Sequence, residues 1–152
     1  MAAKLAKQEV VINQCFGGFS LSHAAMMRLA ELKGIEIYPY VHAKTAEGGR
    51  DYDRYELFDS KVQDESNVMN IHYTTKLIDG SSADLNANYY KEGNREMERN
   101  DPDLVQVVKE LEDKADGSCA DLCIIKIPAG VSWQIEEYDG QEWVAETHRV
   151  WS

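Results

Sequence analysis

The sequence has no hydrophobic run near the roughly 18 residues that a membrane-spanning helix needs, so a bilayer span is not expected. Basic residues are scarce: 16 Lys and Arg stand against 27 Asp and Glu, a formal net charge of −11 and a pI near 4.7. That deficit excludes a fold-wide basic surface for phosphates and a polybasic membrane anchor. Cysteine is limited to Cys15, Cys119 and Cys123. An odd count, with no continuous apolar stretch among the first residues, argues against a disulfide framework and for a reducing cytoplasm. Enzyme signatures are missing too. There is no Gly-x-Ser-x-Gly, no His-Glu-x-x-His, no phosphate-loop Gly-Lys-Ser/Thr and no Gly-x-Gly-x-x-Gly.

What is present suits one α+β domain over residues 1–152, since 43% of the chain is hydrophobic. Charge is uneven. Residues 1–95 carry 13 acidic and 11 basic side chains; residues 96–152 carry 14 and 5. The second part therefore presents a negative field wherever it is exposed. Val10, Val11 and Ile12 predict a β-branched strand. Gly17 and Gly18 then permit a tight turn, and Ser20 or Ser22 caps a helix whose apolar positions are Leu21, Ala25, Met26, Leu29 and Leu32. Gly34 is placed to end that helix. Residues 35–41 read as a strand, with Pro39 at a sheet edge or near the strand's own end. Residues 42–99 are loop-rich and poorly patterned, with a solvent-facing strand or a binding loop at Arg50–Glu56 and another strand at Asn70–Lys76.

Asp101, Pro102 and Asp103 open a second helix, with Leu104, Val107, Val108 and Leu111 as its buried stripe and Gly117 as its stop. Residues 121–128 form a strand. Asp139-Gly140, between two alternating runs, marks a C-terminal β-hairpin in which Ile135 faces Val144 and Glu137 faces Glu142. The expected whole is a mixed, mainly antiparallel sheet of about four to six strands with two principal helices.

Two places draw functional attention. One is the loop Phe16-Gly17-Gly18-Phe19 with Ser20 and Ser22, where backbone N–H groups at a helix start attract anions. Lys44, Arg50 and Arg54 would supply its positive charge. The bland reading is a tight structural turn. The other is the acidic set Asp113, Asp116, Glu136, Glu137, Asp139, Glu142 and Glu146, which serves either partner binding or only solubility. His23, His42, His72 and His148 are scattered, with no pair at metal-ligand spacing, and Cys15 reads as a buried thiol. No metal, cofactor or catalytic residue is therefore expected.

Three segments taken together carry a resemblance: Ile12-Asn13-Gln14-Cys15-Phe16-Gly17-Gly18-Phe19-Ser20-Leu21-Ser22, then Arg99 to Leu111, then Ile127 to Trp151 with Trp133, Tyr138-Asp139-Gly140 and Trp143. They resemble a group of small proteins encoded by tailed bacteriophages and prophages. The resemblance implies an accessory factor in the host cytoplasm that acts on host machinery, and counter-defence is a prominent role of such factors. The leading expectation is a non-enzymatic inhibitor, anti-CRISPR-like, that binds a basic host defence or nucleic-acid-processing complex through its acidic surface. The alternative is a binder of a nucleotide-like signal at the Gly17-Gly18 loop. A third reading is a small hydrolase or transferase whose site assembles only in three dimensions. No direct nucleic-acid or membrane contact is expected, and Tyr38, Tyr40, Trp143 and Trp151 make a homodimer conceivable.

Overall fold

The computed structural model describes residues 7–61, 70–90 and 97–147. In chain order the elements are β1 (Lys7–Asn13), α1 (His23–Leu32), β2 (Tyr38–Lys44), β3 (Arg50–Leu57), β4 (His72–Thr74), α2 (Ser82–Asn88), α3 (Pro102–Leu111), β5 (Leu122–Pro128), β6 (Trp133–Tyr138) and β7 (Gln141–Glu146). The fold is α+β. Its strands pair antiparallel throughout, in three ladders ordered β1-β5, β3-β2-β4 and β6-β7. Among the described residues, the sheet of four to six strands expected above is thus seven short strands in separate ladders, and a third, shorter helix joins the two expected ones. The chain gathers into two compact units, one from residues up to Leu29 and from Met97 onward, the other from Ala30 through the middle of the sequence.

In the first unit, β1 and β5 pair in register, Val10 on Ile125, Val11 on Ile124 and Ile12 on Cys123. Val10 and Val11 are fully buried and Ile12 nearly so. A strand covered on both faces loses its in–out alternation. Neighbouring residues show the cover: Lys109 of α3 pairs with Glu9 at 2.8 Å, and Trp133 of β6 donates to Gln8 at 3.0 Å. Successive side chains point to opposite faces of a strand, so helix and hairpin lie on opposite sides of β1. α3 buries Leu104, Val105, Val107 and Val108. Asp101 caps it by accepting from the Asp103 N–H, with Pro102 in the first turn.

α3 ends at Leu111, well before Gly117. Glu112 adopts a φ of 53°, and the chain tightens into a 3₁₀ turn, Glu112–Ala115, that tucks in the fully buried Ala115. Gly117 has a different duty. A Cβ there would collide with the Ser20 side chain, and its N–H donates to the Ser20 carbonyl at 3.0 Å. At the start of α1, Ser22 Oγ accepts from the Ala25 N–H at 3.1 Å, the cap expected from sequence.

The second unit contains the C-terminal end of α1. There Gly34, with φ +68°, closes a Schellman motif: the N–H of Gly34 donates to Glu31 and that of Ile35 to Ala30. β2 is the central strand of its ladder, although it contains Pro39. The proline sits at the strand's second residue, and its carbonyl still accepts from the Phe58 N–H at 2.9 Å. Ser81 caps α2 by accepting from the Asp84 N–H at 3.1 Å. The described residues of the stretch 42–99 therefore hold more regular structure than their pattern suggests. Tyr40, Val41, Phe58, Leu85 and Tyr90 are buried here.

Candidate functional site

The β6–β7 hairpin is built on a two-residue turn. Asp139 and Gly140 have φ of 51° and 89°, both positive as a type I′ turn demands. Ile135 faces Val144 and Glu137 faces Glu142, the register anticipated from the sequence. Trp133, Ile135, Glu137, Glu142, Val144 and Glu146 share one face; Gln134, Glu136, Tyr138, Gln141, Trp143 and Ala145 share the other.

The first face holds the hairpin to its unit. Glu142 makes a bidentate pair with Arg99, at 2.6 and 2.9 Å, and also accepts from the Asn13 N–H at 2.8 Å. Its side chain is only 9% exposed. Asn13 is fully buried. Its amide donates to the carbonyls of Cys15 and Gly140, and its oxygen accepts from the Asp121 N–H at 2.8 Å. The Arg99 guanidinium stacks 3.5 Å above the Phe19 ring. Asn13 and Arg99 thus tie β1, the Gly17-Gly18 loop, β5 and the hairpin into one polar node. Neither was singled out from sequence, because a lone Asn at a strand end and a lone Arg before a helix carry no pattern.

The second face points outward. Trp143 is 43% exposed and Tyr138 is 72% exposed. The Trp143 indole N–H donates to Glu136 at 3.0 Å, and the Gln134 amide donates to the other oxygen of the same carboxylate at 3.1 Å. The indole is therefore held in place while its ring remains open to solvent. Residues 133–146 contain five carboxylates and no Lys or Arg. Glu137, Asp139 and Glu146 are exposed, and Glu136 is half-buried beside Trp143.

The two remaining acidic candidates stand on another element. Asp113 is exposed on the 3₁₀ turn. Asp116 is turned inward: its carboxylate accepts from the Leu122 N–H at 2.9 Å. Burial raises its pKa from the ordinary value, opposed by that hydrogen bond and helped by Asp121 and Asp113. Of the seven acidic candidates, Glu142 and Asp116 are thus engaged internally.

The Gly17-Gly18 loop packs closely at some points only: Phe16 and Gly17 are exposed, and a Cβ on Gly18 would meet open space. A Cβ on Gly17 would strike Cys119, and one on Gly140 would strike Gly18 and Phe16. Gly18 has a φ of 91°. Three donors at the start of α1 have partners: the Ser22 N–H donates to the Ala115 carbonyl at 2.9 Å, Ser22 Oγ donates to the Lys114 carbonyl at 2.6 Å, and the Ala25 N–H donates to Ser22 Oγ. Phe16 is exposed, and Phe19 lies under Arg99. Lys44, Arg50 and Arg54 belong to the second unit, where Arg54 lies close enough to Asp79 to help lower its pKa, after the hydrogen bonds from Ser81.

Cys15 is half-buried, its thiol bonded to the Cys119 carbonyl at 2.6 Å and to Asn13. Burial, then Asp121, pushes the Cys123 thiol upward, away from nucleophilic reactivity. Tyr40 is a core residue whose hydroxyl accepts from the Ile78 N–H at 3.0 Å, while Trp151 lies outside the described residues. No helix among the described residues is long and apolar enough to cross a membrane. No protein-family model, curated protein or solved structure matches the chain.

Proposed function

We propose that this chain is a non-enzymatic binding protein whose outer hairpin face docks onto a basic surface of a partner protein. One observation carries the reading. Trp143 and Tyr138 stand exposed on the same face as Glu136, on a hairpin whose exposed Glu137, Asp139 and Glu146 have no cation on the same strands. Exposed Trp and Tyr are the residues that dominate binding energy at protein interfaces. A surrounding ring of one charge sign selects an oppositely charged partner and speeds encounter. The anchoring below reinforces this, because the buried Arg99–Glu142 pair and the type I′ turn present the face rigidly, which lowers the ordering cost of binding.

The resemblance to phage accessory proteins supplies the partner class. A host complex that processes nucleic acid has a basic channel, and carboxylates with interleaved aromatics compete for it. A nucleotide ligand at the Gly17-Gly18 loop draws less support, since the N–H and hydroxyl of Ser22 already have protein partners.

The test is a pull-down from bacterial lysate with the tagged protein, its W143A/Y138A variant and its E136K/E137K/E146K variant. A basic nucleic-acid-processing protein retained by the wild type, lost with either variant and eluted at high salt is the expected result. Retention of the same partner by both variants overturns the reading.

A further inference from the structure

Two of the four histidines, scattered in sequence, meet on one face of the β3-β2-β4 ladder. His42 lies opposite Tyr55 in β3, and Tyr40, on the same face of β2, lies opposite His72 in β4. The two imidazole centroids are 5.7 Å apart, steeply inclined at 76°, and Tyr55 completes a triangle at 4.7 Å from His42 and 5.4 Å from His72. The ladder shifts register between His42 and Ala43. The extra residues place Tyr52, itself 59% exposed, against the edge of the His42 ring at 5.0 Å. Bulges of this kind re-aim side chains and recur beside functional sites.

His42 Nδ1 and His72 Nε2 are both shielded, and among the described residues no group hydrogen-bonds to either. Leaving a shielded polar atom unpaired is costly, so two on neighbouring rings call for a ligand that accepts lone pairs. Two imidazoles bound to one tetrahedral ion, with metal–nitrogen bonds of about 2.0–2.1 Å, have centroids about 5 Å apart. The observed spacing is close to that.

We propose that His42 and His72 form a binding site for a divalent transition-metal ion of the zinc class. Imidazole nitrogens favour zinc, copper and nickel over magnesium or calcium. Among the described residues no third His, Cys, Asp or Glu completes the set, so water or a partner's donor group fills the remaining positions. Each ring nitrogen gives its lone pair to the ion and displaces a metal-bound water; no electron is transferred.

The test is titration of the wild-type protein with zinc chloride at pH 7.5, following the imidazole C–H resonances by NMR. The expected result is a saturable one-to-one response of the His42 and His72 rings, with His23 and His148 unmoved. Affinity should fall more than tenfold in H42Q and H72Q and stay the same in H23Q. Absence of a response at millimolar zinc, an equal response to magnesium, or movement confined to other histidines overturns the proposal. The wild-type titration decides the matter even if a variant fails to fold.

Discussion

At the scale of single residues, charge alone does not predict a carboxylate's role. Glu142 and Glu137 face each other across the hairpin, yet Glu142 bonds Arg99 and the Asn13 N–H while Glu137 is exposed. Replacing Glu142 with Ala leaves a largely buried guanidinium and a backbone N–H unpaired. The E142A variant should lose about 3 kcal/mol in urea denaturation, as broken buried pairs do. E137Q should stay within about 0.5 kcal/mol of wild type, as surface substitutions do. Glu110 predicts the pH behaviour. Hydrogen bonds from Arg28 and then Gln106 pull its pKa from 4.5 down to about 2. A depressed folded-state pKa adds stability that is present above the unfolded value and lost as pH falls through the folded one. The wild type should therefore lose stability between pH 4.5 and 2 more steeply than E110Q, followed by thermal melts across that range.

Elements were legible where local chemistry and burial agree. Asp101-Pro102-Asp103 is a helix start by three independent physical reasons, and Asp139-Gly140 suits a turn that needs two positive φ values. Asp101→Ala should cost about 1 kcal/mol by removing an acceptor for the Asp103 N–H, read from the shift in denaturation midpoint. The reading was weaker where packing overrides pattern. Ser82–Asn88 is rich in Ser, Asp and Asn, poor helix formers, and only Leu85 within it is buried, so α2 left almost no periodic signal. Gly117 looks like a helix stop, but its lack of a side chain serves a close approach to Ser20. Gly17 is glycine for the same kind of reason, against Cys119. Gly17→Ala should consequently destabilise the fold, whether or not any anion binds nearby, which a denaturation curve without ligand will show.

For the whole molecule, the charge asymmetry read from the sequence becomes an asymmetry between surfaces. In the first unit Arg28 pairs with Glu110, Arg99 with Glu142 and Lys109 with Glu9, whereas the hairpin's exposed carboxylates have no cation on their own strands. The acidity was visible in composition. The selection of an outward face was not, because it depends on which of two alternating rows the polar node at Asn13 and Arg99 draws inward.

The most direct test of that face is an NMR titration of the isotope-labelled protein with a nona-arginine peptide at low and at physiological salt. Docking through the hairpin predicts shifts concentrated at the backbone amides of residues 134–145 and at the Trp143 indole N–H, weakening as salt rises. Shifts centred instead on the 3₁₀ turn around Asp113, or an unmoved Trp143 indole at saturating peptide, would contradict it.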